Sequence, residues 1–226
     1  MGPSASGGSQ RTLGFIGGTG PEGRGLALRF ARAGERVLIG SRNVSRAEEA
    51  AAGLLKTLPG AAVGGAVNEV VARDADIAII TVPYEAHRST LESLAEQLAG
   101  KIVVDVVAPL SFSKGVASAV SVDEGSAAMQ AQATLGRSRV VGAFQSISAQ
   151  DLLVPDRPVD SDVVVCADDA EAKKIIMELA EQIDGARAVD GGGLQNARYV
   201  ESFTALLLNI NRIYRAHSTI KIGGIS

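Results

Sequence analysis

The residues with the sharpest chemical meaning are Gly17-Gly18-Thr19-Gly20-Pro21-Glu22-Gly23, in which Gly18, Gly20 and Gly23 are spaced G-x-G-x-x-G. A glycine triplet alone is a weak signal. This one follows the apolar run Thr12–Ile16 and opens an amphipathic helical pattern, and that context makes it specific. Each glycine has its own task there: Gly18 permits the tight turn, Gly20 lets the backbone approach a pyrophosphate, and Gly23 lets helix and strand pack closely. The pyrophosphate would rest on N–H groups at the helix N-terminus. Gly18, Thr19, Gly20, Pro21, Glu22 and Gly23 are therefore expected to line a dinucleotide site.

The end of the second strand decides which dinucleotide. An acidic residue about 20 positions beyond the motif ordinarily accepts from the ribose 2′-OH. This chain has Gly40-Ser41-Arg42-Asn43 instead, with Arg46 one helical turn beyond Arg42. No carboxylate is there to repel a 2′-phosphate, and two guanidiniums plus the Ser41 hydroxyl can hold one through charge-assisted hydrogen bonds. NADP(H) is favoured, with Thr19 as a further hydroxyl contact.

Two later strand ends carry Thr81-Val82-Pro83-Tyr84 and Val106-Val107-Ala108-Pro109. Ligands of open α/β sheets lie outside the carboxyl ends of the strands, and each proline stops its strand. Val82, Pro83, Val107, Ala108 and Pro109 are expected to line the ribose and nicotinamide. Acid–base candidates are few. His87 and His217 are the two histidines, and a lone histidine reads more readily as a surface or satisfied residue than as a catalyst. Asp105 lies in an apolar strand and needs a partner there; Cys166, in an equally apolar strand, reads as inert core. There is no His/Cys/carboxylate cluster at metal-ligand spacing and no G-x-S-x-G elbow. Places to bind, with little to catalyse, suit hydride transfer between two cofactors, the protein supplying approach and orientation. No side chain is then expected to relay a proton.

The elements that must hold these residues alternate along the chain. Strands are expected over Thr12–Ile16, Arg36–Gly40, Asp76–Val82, Lys101–Val107, Arg139–Phe144, Asp162–Cys166 and Ala186–Asp190, with a short one over Ala61–Val63. Helices are expected over Gly23–Ala33, Ser45–Leu58 with Ser45 as N-cap, Glu69–Arg73, Glu85–Leu98, Ala170–Gln182 and Gln195–Arg215. Ser126–Ala133 tolerates a helix, and Gln145–Asp160, with two prolines, reads as a loop of functional length. Strand and helix in this order mean an α/β fold of Rossmann type, a doubly wound, mainly parallel sheet. Residues 1–10 read as a disordered tail, 11–193 as the dinucleotide-binding domain and 194–226 as a small C-terminal helical segment. That last helix is too apolar from Phe203 to Ile210 for a solvated surface, so it packs on the core, on a twin subunit, or on both.

Composition bounds the partners. With 226 residues, 46% of them hydrophobic, the chain can bury one full α/β domain and a small appendage, not two large domains. A net charge of −3 without a dense Lys/Arg cluster gives no footprint for nucleic acid or anionic membrane. No run approaches the roughly 18 to 20 apolar residues of a membrane span. One cysteine excludes an internal disulfide framework and fits the cytoplasm. Met1–Gln10 lacks the basic and apolar regions of a secretion signal. The expected partners are small-molecule cofactors and a second copy of the chain.

Several stretches resemble the F420H2:NADP+ oxidoreductases: the glycine turn continued by Gly25-Leu26-Ala27-Leu28, the Gly40-Ser41-Arg42 strand end, Cys166-Ala167-Asp168-Asp169 with Asp184-Gly185, and Asn196-Ala197-Arg198-Tyr199-Val200-Glu201-Ser202 with Leu208-Asn209-Ile210. The resemblance runs from Thr12 over nearly the whole chain. It implies a dimeric cytoplasmic enzyme that moves hydride between nicotinamide C4 and C5 of the deazaflavin F420, in a cleft between sheet and C-terminal segment. By position it gives Thr19, Ser41, Arg42 and Arg46 to the 2′-phosphate and Pro83 to the nicotinamide. Archaeal members carry a His-Thr pair near the deazaflavin where this chain has Gln145-Ser146; an amide can hydrogen-bond a ring carbonyl but does not titrate. Pro83, Gln145 and Ser146 are expected to position the rings. Two other readings share the dinucleotide site: an NADPH-dependent imine or carbonyl reductase, which needs a proton donor near the reduced carbon, and a non-catalytic NADP(H)-binding module.

Overall fold

In the computed structural model of the chain, residues 11–225 are described; the tail expected over residues 1–10 lies outside them. The first strand, β1 (Thr12–Ile16), is buried along its length and runs through the glycine turn into α1 (Pro21–Ala33). That helix stops where Gly34 takes a left-handed φ of 100°, a region glycine enters without steric cost. Next come β2 (Arg36–Ser41), α2 (Val44–Thr57), β3 (Val63–Val67) and α3 (Asn68–Asp74). The pattern repeats through β4 (Ile77–Ile80), α4 (Tyr84–Leu98) and β5 (Ile102–Asp105). A hairpin of β6 (Leu110–Ser113) and β7 (Val116–Ala119) leads to α5 (Ala127–Thr134), β8 (Arg139–Gly142) and the single-turn α6 (Ala149–Leu152). The chain finishes with β9 (Ser161–Ala167), α7 (Ala170–Ala180), β10 (Ala186–Asp190), a 3-10 turn over Leu194–Asn196 and α8 (Ala197–Tyr214).

The main sheet has the order β10-β9-β8-β5-β4-β1-β2-β3, and every pairing is parallel except β8 with β9. This is the doubly wound, mainly parallel sheet expected. The chain moves outward from β1 to β3, then returns to lay β4 on the other side of β1. The strand order therefore reverses between β1 and β4, where an open α/β sheet leaves a crevice for ligand.

The strand period of two splits the apolar residues between two cores. Leu13, Phe15, Ile79, Val104 and Val141 pack with Leu26 and Phe30 of α1 and Ile176 of α7 on one face. Ile16, Ala78, Ile80, Val103 and Val140 pack with Val71, Leu91, Leu98 and Ala128 on the other. Each Leu, Ile or Phe so buried contributes about 1.5–3 kcal/mol. Among the described residues no helix is long and apolar enough to cross a membrane.

Several boundaries depart from the expected ones, each for a local reason. α1 begins at Pro21 rather than Gly23, because the fixed φ of proline suits a first helical turn. Asn43, not Ser45, caps α2: its Oδ1 accepts from the Ser45 and Arg46 N–H groups at 3.0 and 3.4 Å. β3 lies at Val63–Val67, not Ala61–Val63. Its glycines hide it from propensity, yet a Cβ on Gly65 would sit 2.5 Å from the Ala47 backbone, so α2 needs that glycine to dock. β8 stops at Gly142 rather than Phe144. The long loop contains α6 and is pinned by buried Arg29, whose guanidinium donates to the carbonyls of Leu152, Asp151, Val154, Pro155 and Arg157. The β6–β7 hairpin was not expected, its short strands being serine-rich and largely exposed.

Candidate functional site

The glycine turn sits at the β1 side of the crevice. Gly17 has φ 75°, so the positive-φ residue is Gly17 rather than Gly18. The Gly18 N–H donates to Phe15 O and Gly40 O at 3.2 and 3.0 Å, tying the turn to β2. Gly23 has the packing role expected: a Cβ there would lie 2.7 Å from Gly18 Cα and 2.9 Å from Thr81 Oγ1. Around the Cβ position of Gly20 there is open space, with no heavy atom within 4 Å. Gly20 is the N-cap of α1, and no side chain caps that end. An anion can therefore take the first-turn N–H groups and the positive end of the helix dipole. In the same turn, Glu22 Oε1 is enclosed without a hydrogen-bond partner. Although the residue keeps some surface, burial of the carboxyl pushes its pKa up to about 8, which favours its uncharged form beside the glycine turn.

Asn68, at the start of α3, braces the glycine turn and is a residue that sequence reasoning missed. Its Oδ1 accepts the Gly17 N–H at 3.1 Å and occupies the space a Cβ on Gly40 would need, 2.6 Å away. The only sequence signal was an asparagine closely following a strand end on the same side of the sheet.

At the end of β2, Ser41 is buried and its Oγ accepts the Asn43 N–H at 3.2 Å. Arg42 and Arg46 are exposed, and neither has a carboxylate within ion-pair distance among the described residues. Two such cations and an uncapped helix N-terminus are groups able to hold an anion.

The β4 and β5 ends form the opposite wall. Val82 packs on the turn, with its Cγ1 2.5 Å from a Cβ built on Gly17, while Pro83 is exposed and is the N-cap of α4. Val107 is buried, Ala108 half-buried, and Pro109 buried with its carbonyl accepting the Val120 N–H of the hairpin. Asp105 finds the partner it needed: His87 Nε2 lies 2.6 Å from its Oδ2. The surface alternative for His87 does not hold, since both side chains are 0% exposed. Burial works against the His87 cation, but the Asp105 charge and the hydrogen bonds to Asp105 and Gln130 outweigh it and raise the imidazole pKa. So enclosed a pair presents no atom to a ligand. His217 is half-exposed, 3.3 Å from Asp151, and burial pushes the Cys166 thiol up to about 11, leaving it the inert core thiol expected.

Gln145 and Ser146 follow β8 and are both buried. The residue before them, Phe144, has φ 71°, a strained value for a bulky side chain, of the sort that clusters at functional sites. Its ring, edge-on to Phe30 at 6.0 Å, anchors the bend. Gln145 Nε2 donates to Asp105 O at 3.1 Å, its own carbonyl accepts from Thr204 Oγ1 at 2.9 Å, and its Oε1 is enclosed without a partner. Glu201 of α8 accepts from the Ala127 and Ala128 N–H groups at the start of α5. Burial pushes its carboxyl up to about 7.

Fold and turn together define a Rossmann-type domain of the dinucleotide-binding class. Residues 12–109 match the family profile described as NADP oxidoreductase, coenzyme F420-dependent. The chain is 43% identical over 205 residues to the F420-dependent NADP reductase of Methanothermobacter thermautotrophicus, covering 88% of each. It is 40% identical over 213 residues to the enzyme of that name from Methanocaldococcus jannaschii, covering 92% of this chain and 95% of the relative. A solved structure from Arthrobacter sp. FB24, assigned as an F420-dependent NADP-reductase, superimposes with a TM-score of 0.81 at 27% identity, covering 96% of this chain and 100% of that one. The chain belongs to the F420-dependent NADP reductase family.

Proposed function

We propose that the protein transfers hydride between NADP(H) and the deazaflavin coenzyme F420, with the dinucleotide seated across the β1–β4 crevice. The observation that carries the reading is the pairing of an uncapped α1 N-terminus with two carboxylate-free guanidiniums, Arg42 and Arg46, at the end of β2. That donor set matches a dinucleotide carrying a 2′-phosphate, as the names of the relatives also indicate. Gly18, Thr19, Gly20 and Gly23 shape the pyrophosphate seat, and Ser41, Arg42 and Arg46 hold the 2′-phosphate. Val82, Pro83, Val107 and Ala108 border the nicotinamide side. Gln145 offers one enclosed, unpartnered acceptor, suited to a ring N–H of a flat heterocycle, with Ser146 beside it. The two coenzymes supply the hydride chemistry; the protein supplies approach, orientation and exclusion of water.

A second copy of the chain is the proposed macromolecular partner. Tyr199, Phe203, Leu206 and Ile213 are exposed on α8 at helical spacing, an apolar stripe that a two-fold contact would bury against itself. The proposed compartment is the reducing cytoplasm, which suits a single buried thiol. The test of the reaction is the loss of deazaflavin absorbance with NADPH: rapid bleaching is expected, and NADPH oxidation by small imines without F420 contradicts the reading.

A further inference from the structure

We infer that the buried His87–Asp105 pair is a positioning device for the ring-binding wall: Asp105 shapes the turn after β5 and orients Gln145, and His87 holds Asp105 in place. The inference rests on the proposed use of that wall for the two rings.

Hydrogen-bond direction fixes the arrangement. Gln130 Nε2 donates to Glu124 Oε2 at 3.2 Å, and Glu124 is ion-paired with Arg88, so it is an acceptor only. Gln130 Oε1 is thus the atom 3.0 Å from His87 Nδ1, and Nδ1 must carry a hydrogen. The 2.6 Å contact between Nε2 and Asp105 Oδ2 then holds one more proton, so the pair is neutral overall whichever atom keeps it. The other carboxyl oxygen, Oδ1, accepts the Val107 N–H at 3.0 Å and closes the turn. The Asp105 carbonyl accepts from Gln145 Nε2. A carbonyl can only accept, so the amide nitrogen must face it and Oε1 is the end left for a ligand. Thr204 fastens the Gln145 carbonyl to α8. The charged and titratable groups around His87 are Asp105 on β5, Glu201 on α8, Glu124 through Gln130, and Tyr84 with its ring centre 6.2 Å away.

Packing alone does not explain the pair, because apolar residues of similar volume commonly replace buried ion pairs without loss of stability. They cannot accept the Val107 N–H. The role therefore lies in what Asp105 places.

Two variants separate placement from charge and from packing. Asp105→Asn keeps an acceptor for Val107 and gives His87 Nε2 a donor, so kcat for F420 reduction should stay within about threefold of wild type. The double variant His87→Leu/Asp105→Leu fills the space but loses the turn bond. Its kcat should fall about tenfold or more, since small misplacements of a reacting ring are costly. Its NADPH dissociation constant should change less than about threefold, because the β2 phosphate contacts are untouched. Nitrogen NMR should show hydrogen on His87 Nδ1 in both the wild type and Asp105→Asn. A double variant with wild-type kcat overturns the inference, and so does Asp105→Asn losing as much as the double. If the double does not fold, Gln145→Leu with an unchanged KM for F420 overturns it, since that change removes the amide Asp105 is inferred to orient. An unprotonated Nδ1 overturns the arrangement whether or not the wild type reduces F420, and so separates this inference from the proposed reaction.

Discussion

The side-chain carbonyl of Asn68 accepts the Gly17 N–H at 3.1 Å, so the start of α3 holds the left-handed residue of the dinucleotide turn. Asn68→Ala leaves that N–H unpaired in a largely buried place, a loss of about 1–3 kcal/mol. NADPH and NADH should therefore weaken together, by roughly 5-fold to 100-fold, because the turn serves both. Fluorescence titration with each coenzyme reads this, and unchanged affinity for both would show the turn is rigid without Asn68.

Arg42→Ala should discriminate where Asn68→Ala does not. A charge-assisted contact to the 2′-phosphate is worth about 1.5–3 kcal/mol, so the NADPH dissociation constant should rise roughly 10-fold to 100-fold. The value for NADH should stay within about twofold. Equal losses for both coenzymes would refute the phosphate clamp.

Glu22 predicts a pH dependence. Burial raises its carboxyl from 4.5 to about 8, so between those values the folded chain keeps a proton that the unfolded chain has released. Its contribution to stability accordingly falls as pH rises through that window and is level above it. Glu22→Gln removes the slope: its melting temperature should exceed that of the wild type more at pH 8.5 than at pH 5. Wild-type NADPH binding should also weaken above pH 8, as an anion forms beside the pyrophosphate seat, while binding by Glu22→Gln should not. Parallel pH profiles for the two proteins would sink the assignment.

Arg29→Met strands several buried carbonyls of the loop that follows Gln145. A cost of about 3 kcal/mol is expected, roughly 6–12 °C in Tm for a chain of this size. Thermal melts monitored by circular dichroism measure it; a shift under two degrees would mean that the loop is held by other contacts.

The exposed stripe on α8 predicts a dimer that one charge can open. Leu206→Glu would place an unpaired carboxylate in an apolar contact, at a cost of several kcal/mol. Sedimentation should find the wild type at twice the chain mass and the variant at the single mass. A monomeric wild type contradicts the proposed partner.

The first βαβ unit was legible because its signals agree: buried strand, glycine turn, amphipathic helix, Gly34 stop and a carboxylate-free strand end all point one way. Where such agreement fails, so does the reading. Gly64 and Gly65 disguise β3, and the 2.5 Å approach of the Ala47 backbone explains Gly65. The serine-rich β6–β7 hairpin buries little and so leaves no periodic trace. The site behaves the same way. The turn glycines and the strand-end arginines carry local motifs, whereas the contacts of Asn68, His87, Asp105 and Gln145 form only when distant strand ends meet. An aspartate inside an apolar strand needs a partner, but nothing in the spacing identifies that partner as His87.

The central claim is that hydride crosses directly from a 2′-phosphorylated nicotinamide to the deazaflavin, with no side chain relaying it. NADPH deuterated at the transferring face of C4, mixed with F420 and the protein in ordinary water, tests this most directly by mass spectrometry or proton NMR of the reduced deazaflavin. The account predicts deuterium at C5 with negligible washout; hydrogen from solvent at C5 would contradict it.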